Sequence, residues 1–100
     1  MKTKKETENE RKVRKLDLKD TVLKYLKELP PKQSKQVALT ILALTQNATP
    51  HDSVGLTGHT PWRRVEIGEY RVIYRFDDNT VYVPVVGKRN DSEVYRHLPR

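Results

Sequence analysis

Two runs rich in β-branched and aromatic residues, 62–67 and 70–76, are separated only by Gly68-Glu69, a spacing that allows this chain little other than an antiparallel hairpin. Closing the hairpin there pairs Ile67 with Tyr70, which sets Glu66 opposite Arg71 and Arg64 opposite Ile73. A third run, 81–86, follows the turn sequence Asp77-Asp78-Asn79-Thr80 and extends the hairpin to a meander. Pairing Phe76 with Val81 then puts Arg71 opposite Val86. Pro84 is awkward in a central strand and calls for a bulge or an unpaired amide.

Alternation along these strands divides the residues between two faces. Val65, Ile67, Val72, Tyr74, Phe76, Val81, Val83 and Val85 are expected inward, and Arg64, Glu66, Arg71, Ile73 and Arg75 on an open, arginine-rich face. Gly87-Lys88-Arg89 leaves the third strand at the end of the sheet where Arg71 enters, so Arg71 and Arg89 are expected to approach each other. Two converging guanidinium groups repel unless an anion, such as the Glu66 carboxylate or a bound phosphate, lies between them. The alternative is a set of solvated surface arginines in exposed ion pairs.

Two helices are expected before the strands. With Asp17 as N-cap, Leu18, Val22, Tyr25, Leu26 and Leu29 recur on one helical face up to Pro30. Pro31 suits the first turn of a second helix, whose segment 37–44 is apolar nearly all round and is expected to be the most buried element. Residues 46–61 read as a long loop. Around Val13, Leu16 and Leu18 the pattern fits either a short edge strand or a helix lead-in. Residues 1–10 have no apolar residue after Met1 and read as a floppy arm, leaving 11–100 as one domain. Ser92 to Leu98 reads as a short helical or extended tail.

A formal net charge of +7 favours a polyanionic partner such as nucleic acid. Residues 1–60 carry ten Lys and two Arg, whereas 61–100 carry seven Arg and only Lys88. Guanidinium grips phosphate oxygens bidentately, so a phosphate site is sought in the carboxy-terminal part. No apolar run is long enough to cross a bilayer, and the amino terminus lacks a signal-like apolar region. With no cysteine and with His51, His59 and His97 scattered, metal-free chemistry without a cofactor is expected.

The segments Gly68-Glu-Tyr-Arg-Val-Ile-Tyr-Arg75, Val85-Val-Gly-Lys-Arg89 and Ser92-Glu-Val-Tyr95 together resemble the RelE family of toxins in the RelE/ParE superfamily. The resemblance spans residues of about 16–98. It implies an α+β fold, a two-helix hairpin on a small, mainly antiparallel twisted sheet. It also implies a cytoplasmic, ribosome-dependent mRNA endonuclease, in which a ribose 2′-OH attacks the scissile phosphate without metal, neutralised by a cognate RelB-like antitoxin. The partners so implied are mRNA on the ribosome, ribosomal RNA and the antitoxin, with no membrane.

Carried over by position, Arg71 resembles the arginine that holds the scissile phosphate, Arg89 its partner in phosphate binding and leaving-group assistance, and Tyr95 the tyrosine that stacks on or orients the attacked nucleotide. Trp62 and Arg64 stand where well-studied members have two lysines. Arg64 supplies charge, and Trp62 offers a ring for base stacking. Arg63, Arg75 and Lys88 complete the basic set expected to contact RNA. For the proton acceptor the candidates are Glu66, His97 and Lys88, or orientation by the ribosome with little base catalysis. Two other readings stand beside this one: a gyrase inhibitor like the ParE branch, and a non-catalytic nucleic-acid-binding or inactive homologue.

Overall fold

A computed structural model describes residues 13–89. Seven elements follow one another: β1 (Lys15–Leu18), α1 (Asp20–Glu28), α2 (Pro31–Leu44), β2 (Ser53–Gly55), β3 (Arg63–Ile67), β4 (Tyr70–Phe76) and β5 (Thr80–Lys88). The strands form one five-stranded sheet in the order β1-β5-β4-β3-β2. β1 runs parallel to β5 and the other neighbours are antiparallel. The α+β architecture is therefore the expected one, with a mixed sheet. The arm 1–10 and the tail 92–98 lie outside the described residues.

Both helices cover the same sheet face. Val22 and Leu26 of α1 and Val37, Ile41 and Leu44 of α2 meet Val65, Val72, Tyr74, Val81 and Val83 of the sheet. Each such side chain, fully buried, is worth about 1.5–3 kcal/mol. The Tyr74 hydroxyl, inside this core, donates to the Ala48 carbonyl at 2.7 Å and ties down the connection after α2.

Four expectations need correction. Asp17 is not an N-cap: it lies in β1, paired with Tyr82, and α1 starts at Asp20 after an extended Lys19 that makes no side-chain cap. The four-residue strand gains its hydrogen bonds from β5, which local helical spacing does not reveal. The second helix is not buried all round, because only its Val37, Ile41 and Leu44 stripe faces the sheet, while Leu39 and Leu42 stay 55% and 51% exposed. The loop 46–61 contains β2, whose three residues carry no alternation to signal a strand.

The fourth correction concerns register. Ile67 pairs with Tyr70, Glu66 with Arg71 and Arg64 with Ile73, as expected, around Gly68 at φ 58°. That is the first central position of a two-residue hairpin, where a positive φ selects glycine. Phe76 also pairs with Val81, but Ile73 meets Val85 while Arg75 meets Tyr82, so Tyr74 faces both Val83 and Pro84. This bulge absorbs the proline that cannot donate to the ladder. It shifts everything beyond by one residue: Arg71 faces Gly87 instead of Val86, and Val85 turns outward while Val86 packs inward.

Candidate functional site

The sheet face away from the helices carries the charged cluster. Pairing across the hairpin brings Glu66 beside Arg71, and alternation on β3 brings Arg64 to the same side. Glu66 Oε2 lies 3.4 Å from Arg64 Nε and 3.4 Å from Arg71 Nε. The carboxylate is half-exposed and the Arg71 side chain only 12% exposed. One anion therefore bridges two guanidinium groups, leaving a net positive charge beside a solvent-facing carboxylate.

Arg71 is fixed at a second point. Its Nη1 donates to the Gly68 carbonyl at 3.1 Å and to the Tyr70 carbonyl at 3.0 Å, clamping the turn between β3 and β4. Such a guanidinium is held in place before any ligand arrives, which reduces the ordering cost of gripping an anion. Arg89 stands two residues beyond Gly87, the residue paired with Arg71, and its backbone N–H donates to the Glu69 carbonyl at 2.8 Å. The strand end thus brings the Arg89 backbone to the turn that Arg71 clamps. Lys88 Nζ lies 4.0 Å from Glu69 Oε2, both exposed. Tyr95 and His97 lie outside the described residues.

The remaining expected residues are placed differently. Trp62 is only 6% exposed and packs with Ile73, Leu56 and Val85 on the outer face. Its ring therefore closes a small second core and is not an open platform for a base. Arg63 points across the edge of the sheet, where Nη2 donates to the Ser53 hydroxyl at 2.8 Å and braces β2. Alternation on β3 turns Arg63 away from the side that carries Arg64 and Glu66. Arg75 lies with its guanidinium carbon 4.1 Å from the Tyr82 ring centroid and 5.7 Å from that of Trp62.

Tyr82 was absent from the residues expected on this face, although the pairing of Phe76 with Val81 already places Tyr82 opposite Arg75. The Tyr82 hydroxyl also donates to Asp77 Oδ2 at 3.0 Å. Asp77 Oδ1 accepts from the backbone N–H groups of Asn79 and Thr80 at 2.8 and 2.9 Å. These donors, the Asn79 N–H foremost, then Tyr82, hold the Asp77 carboxyl below its ordinary pKa, with a smaller contribution from Arg75.

A family model described as the ParE toxin of type II toxin-antitoxin system, parDE, matches residues 10–93. The fold is similar to that of the E. coli toxin RelE, solved in the free state as a mutant with two arginines changed to alanine. That likeness has a TM-score of 0.72 and 23% identity, over 86% of this chain and 94% of that one. The toxin–antitoxin complex RelBE2 from Mycobacterium tuberculosis is similar with a TM-score of 0.66 and 24% identity, over 78% of this chain and 93% of that one. The archaeal RelE–RelB complex from Pyrococcus horikoshii gives 0.64 and 21%, over 79% and 98%. At these identities the likeness is one of fold. No curated protein matches the chain.

Proposed function

The chain belongs to the ParE toxin family of type II toxin-antitoxin systems, within the RelE/ParE superfamily, and from that premise we propose that it is an mRNA endonuclease acting on translating ribosomes. The observation that carries the proposal is the Glu66 carboxylate bridging Arg64 and Arg71 at 3.4 Å each on the face free of helices. Cleavage by a ribose 2′-OH needs a proton acceptor, charge stabilisation on the phosphate and help for the leaving 5′-oxygen. In this reading Arg71 and Arg64 hold the non-bridging phosphate oxygens, and Glu66 accepts the 2′-OH proton. Arg89 assists the leaving oxygen, Tyr95 orients the attacked nucleotide, and Lys88 adds charge at the rim.

The partner in the cell is an antitoxin. RelE proteins of similar fold are solved with RelB antitoxins, and a chain of net charge +7 favours an acidic or amphipathic partner over its basic face.

A second reading, a gyrase inhibitor, is favoured by two observations: the matching family model is that of ParE, and Trp62, at one of the positions occupied by lysines in well-studied RelE members, is buried. Cell-free translation followed by primer extension separates the two. Discrete mRNA 5′ ends at codon intervals support the nuclease. Intact mRNA together with inhibited supercoiling by DNA gyrase overturns it in favour of the second reading.

A further inference from the structure

On the outer face, beyond the Arg64–Glu66–Arg71 cluster, the sheet forms a concavity of about 250 Å³ where β1, β5 and the residue before β3 meet. Trp62, Tyr82 and Pro84 give it apolar walls, Arg75 lies against both rings, and Asp17 and Lys19 stand at its side. This volume falls below the roughly 300–1,000 Å³ of pockets that enclose a whole small molecule, so it admits one flat ring system. The bulge at Pro84 and the parallel pairing of β1 create it: Asp17 is brought opposite Tyr82, and Tyr82 opposite Arg75.

Arg75 is the unusual member. Its guanidinium is held on the face of one aromatic ring and near another, yet among the described residues no carbonyl or carboxylate accepts a hydrogen bond from it. Among the described residues its planar fork of N–H donors is thus held in orientation without a hydrogen-bond acceptor, Asp77 acting on it through charge alone. Arg71, Ile73 and Arg75 share one face of β4, and four residues of strand span about 13 Å. A single strand held by phosphate at Arg71 therefore reaches this concavity within a few nucleotides.

We propose that the concavity lined by Arg75, Tyr82, Pro84 and Trp62 is a subsite for one unstacked nucleobase of single-stranded RNA. The inference rests on the reading of the chain as an RNA-directed toxin and adds to it a second contact, away from the reacting phosphate. Arg75 donates to acceptors on the base edge, a pairing that its fixed fork favours. The Asp17 carboxylate accepts from a ring N–H or exocyclic amine, while Lys19 takes the adjoining phosphate. Tyr82 and Pro84, both half-buried, supply ring contact that is tolerant of sequence, and the buried Trp62 only backs the wall behind them.

The test titrates labelled single-stranded hexaribonucleotides with the full chain and with Arg75→Gln, Arg75→Lys and Lys19→Gln, and uses an abasic strand of equal charge as control. The expected result is a loss of affinity of about tenfold for Arg75→Gln on the base-containing strands, of similar size for Arg75→Lys because an ammonium has no fork, and almost none on the abasic strand. Lys19→Gln should weaken both kinds of strand alike and lower the salt dependence.

Thermal midpoints near wild type show that a loss is not unfolding. Equal losses on base-containing and abasic strands, or full rescue by Arg75→Lys, overturn the subsite in favour of general attraction. Primer extension run in parallel keeps the two proposals apart. A wild type that cleaves, with an Arg75→Gln variant that binds every strand normally, overturns the subsite alone. A wild type that does not cleave but binds bases through Arg75 supports the subsite and overturns the nuclease.

Discussion

Glu66 and Arg71 stand directly opposite each other on β3 and β4, with Glu66 Oε2 3.4 Å from Arg71 Nε, while the same guanidinium clamps the turn that joins their strands. The arginine expected to hold substrate is therefore also part of the hairpin. Arg71→Ala should lower cleavage about 10²–10³-fold through loss of a charge-stabilising donor. It should also cost about 1–3 kcal/mol of stability through its two carbonyl contacts. Urea unfolding beside a cleavage assay checks both, and a variant of wild-type stability would show that the clamp carries no energy.

Tyr74→Phe isolates a buried hydrogen bond. Tyr74 is fully buried, and its hydroxyl donates to the Ala48 carbonyl. Removing it leaves that acceptor unpaired, at a cost of about 1–3 kcal/mol. Amide exchange should rise first in residues 46–52, and unchanged exchange there would mean that the connection is held by other contacts.

The turn between β4 and β5 should respond to acid. The Asp77 carboxyl is held below its ordinary value of about 3.9 by the Asn79 N–H, the Tyr82 hydroxyl and the Thr80 N–H. A group with a lowered pKa in the folded chain contributes stability that is complete above the unfolded pKa and is lost as pH falls through the folded one. Urea midpoints measured below about pH 4 should fall less in Asp77→Asn than in wild type. Parallel curves would remove Asp77 from the acid response.

The hairpin at Gly68-Glu69 was legible because turn chemistry and alternation agree there, and they fix Glu66 opposite Arg71 without further information. Pro84 showed that a bulge or an unpaired amide was needed. It did not show that the bulge would turn Val85 outward to meet Trp62, since that depends on how β5 meets β4 around Tyr74. β1 and β2 were ambiguous or missed because each is short and draws its hydrogen bonds from a partner distant in sequence. Leu39 and Leu42 are as apolar as the buried stripe of α2, and only the single sheet face beneath the helix decides which leucines are covered. The charged cluster followed from pairing, whereas the concavity at Arg75 required the parallel strand β1.

Single-turnover cleavage of mRNA on ribosomes with a defined codon in the A site, comparing wild type with Glu66→Gln, tests most directly whether the Arg64–Glu66–Arg71 cluster is the reacting centre. The amide keeps the shape of the carboxylate and removes its proton affinity. Ribosome binding should be unchanged and cleavage slowed about 10²–10⁴-fold, the usual contribution of a positioned base. Cleavage at the wild-type rate or faster would contradict this, and would make Glu66 a counter-ion that holds Arg71 back from the phosphate.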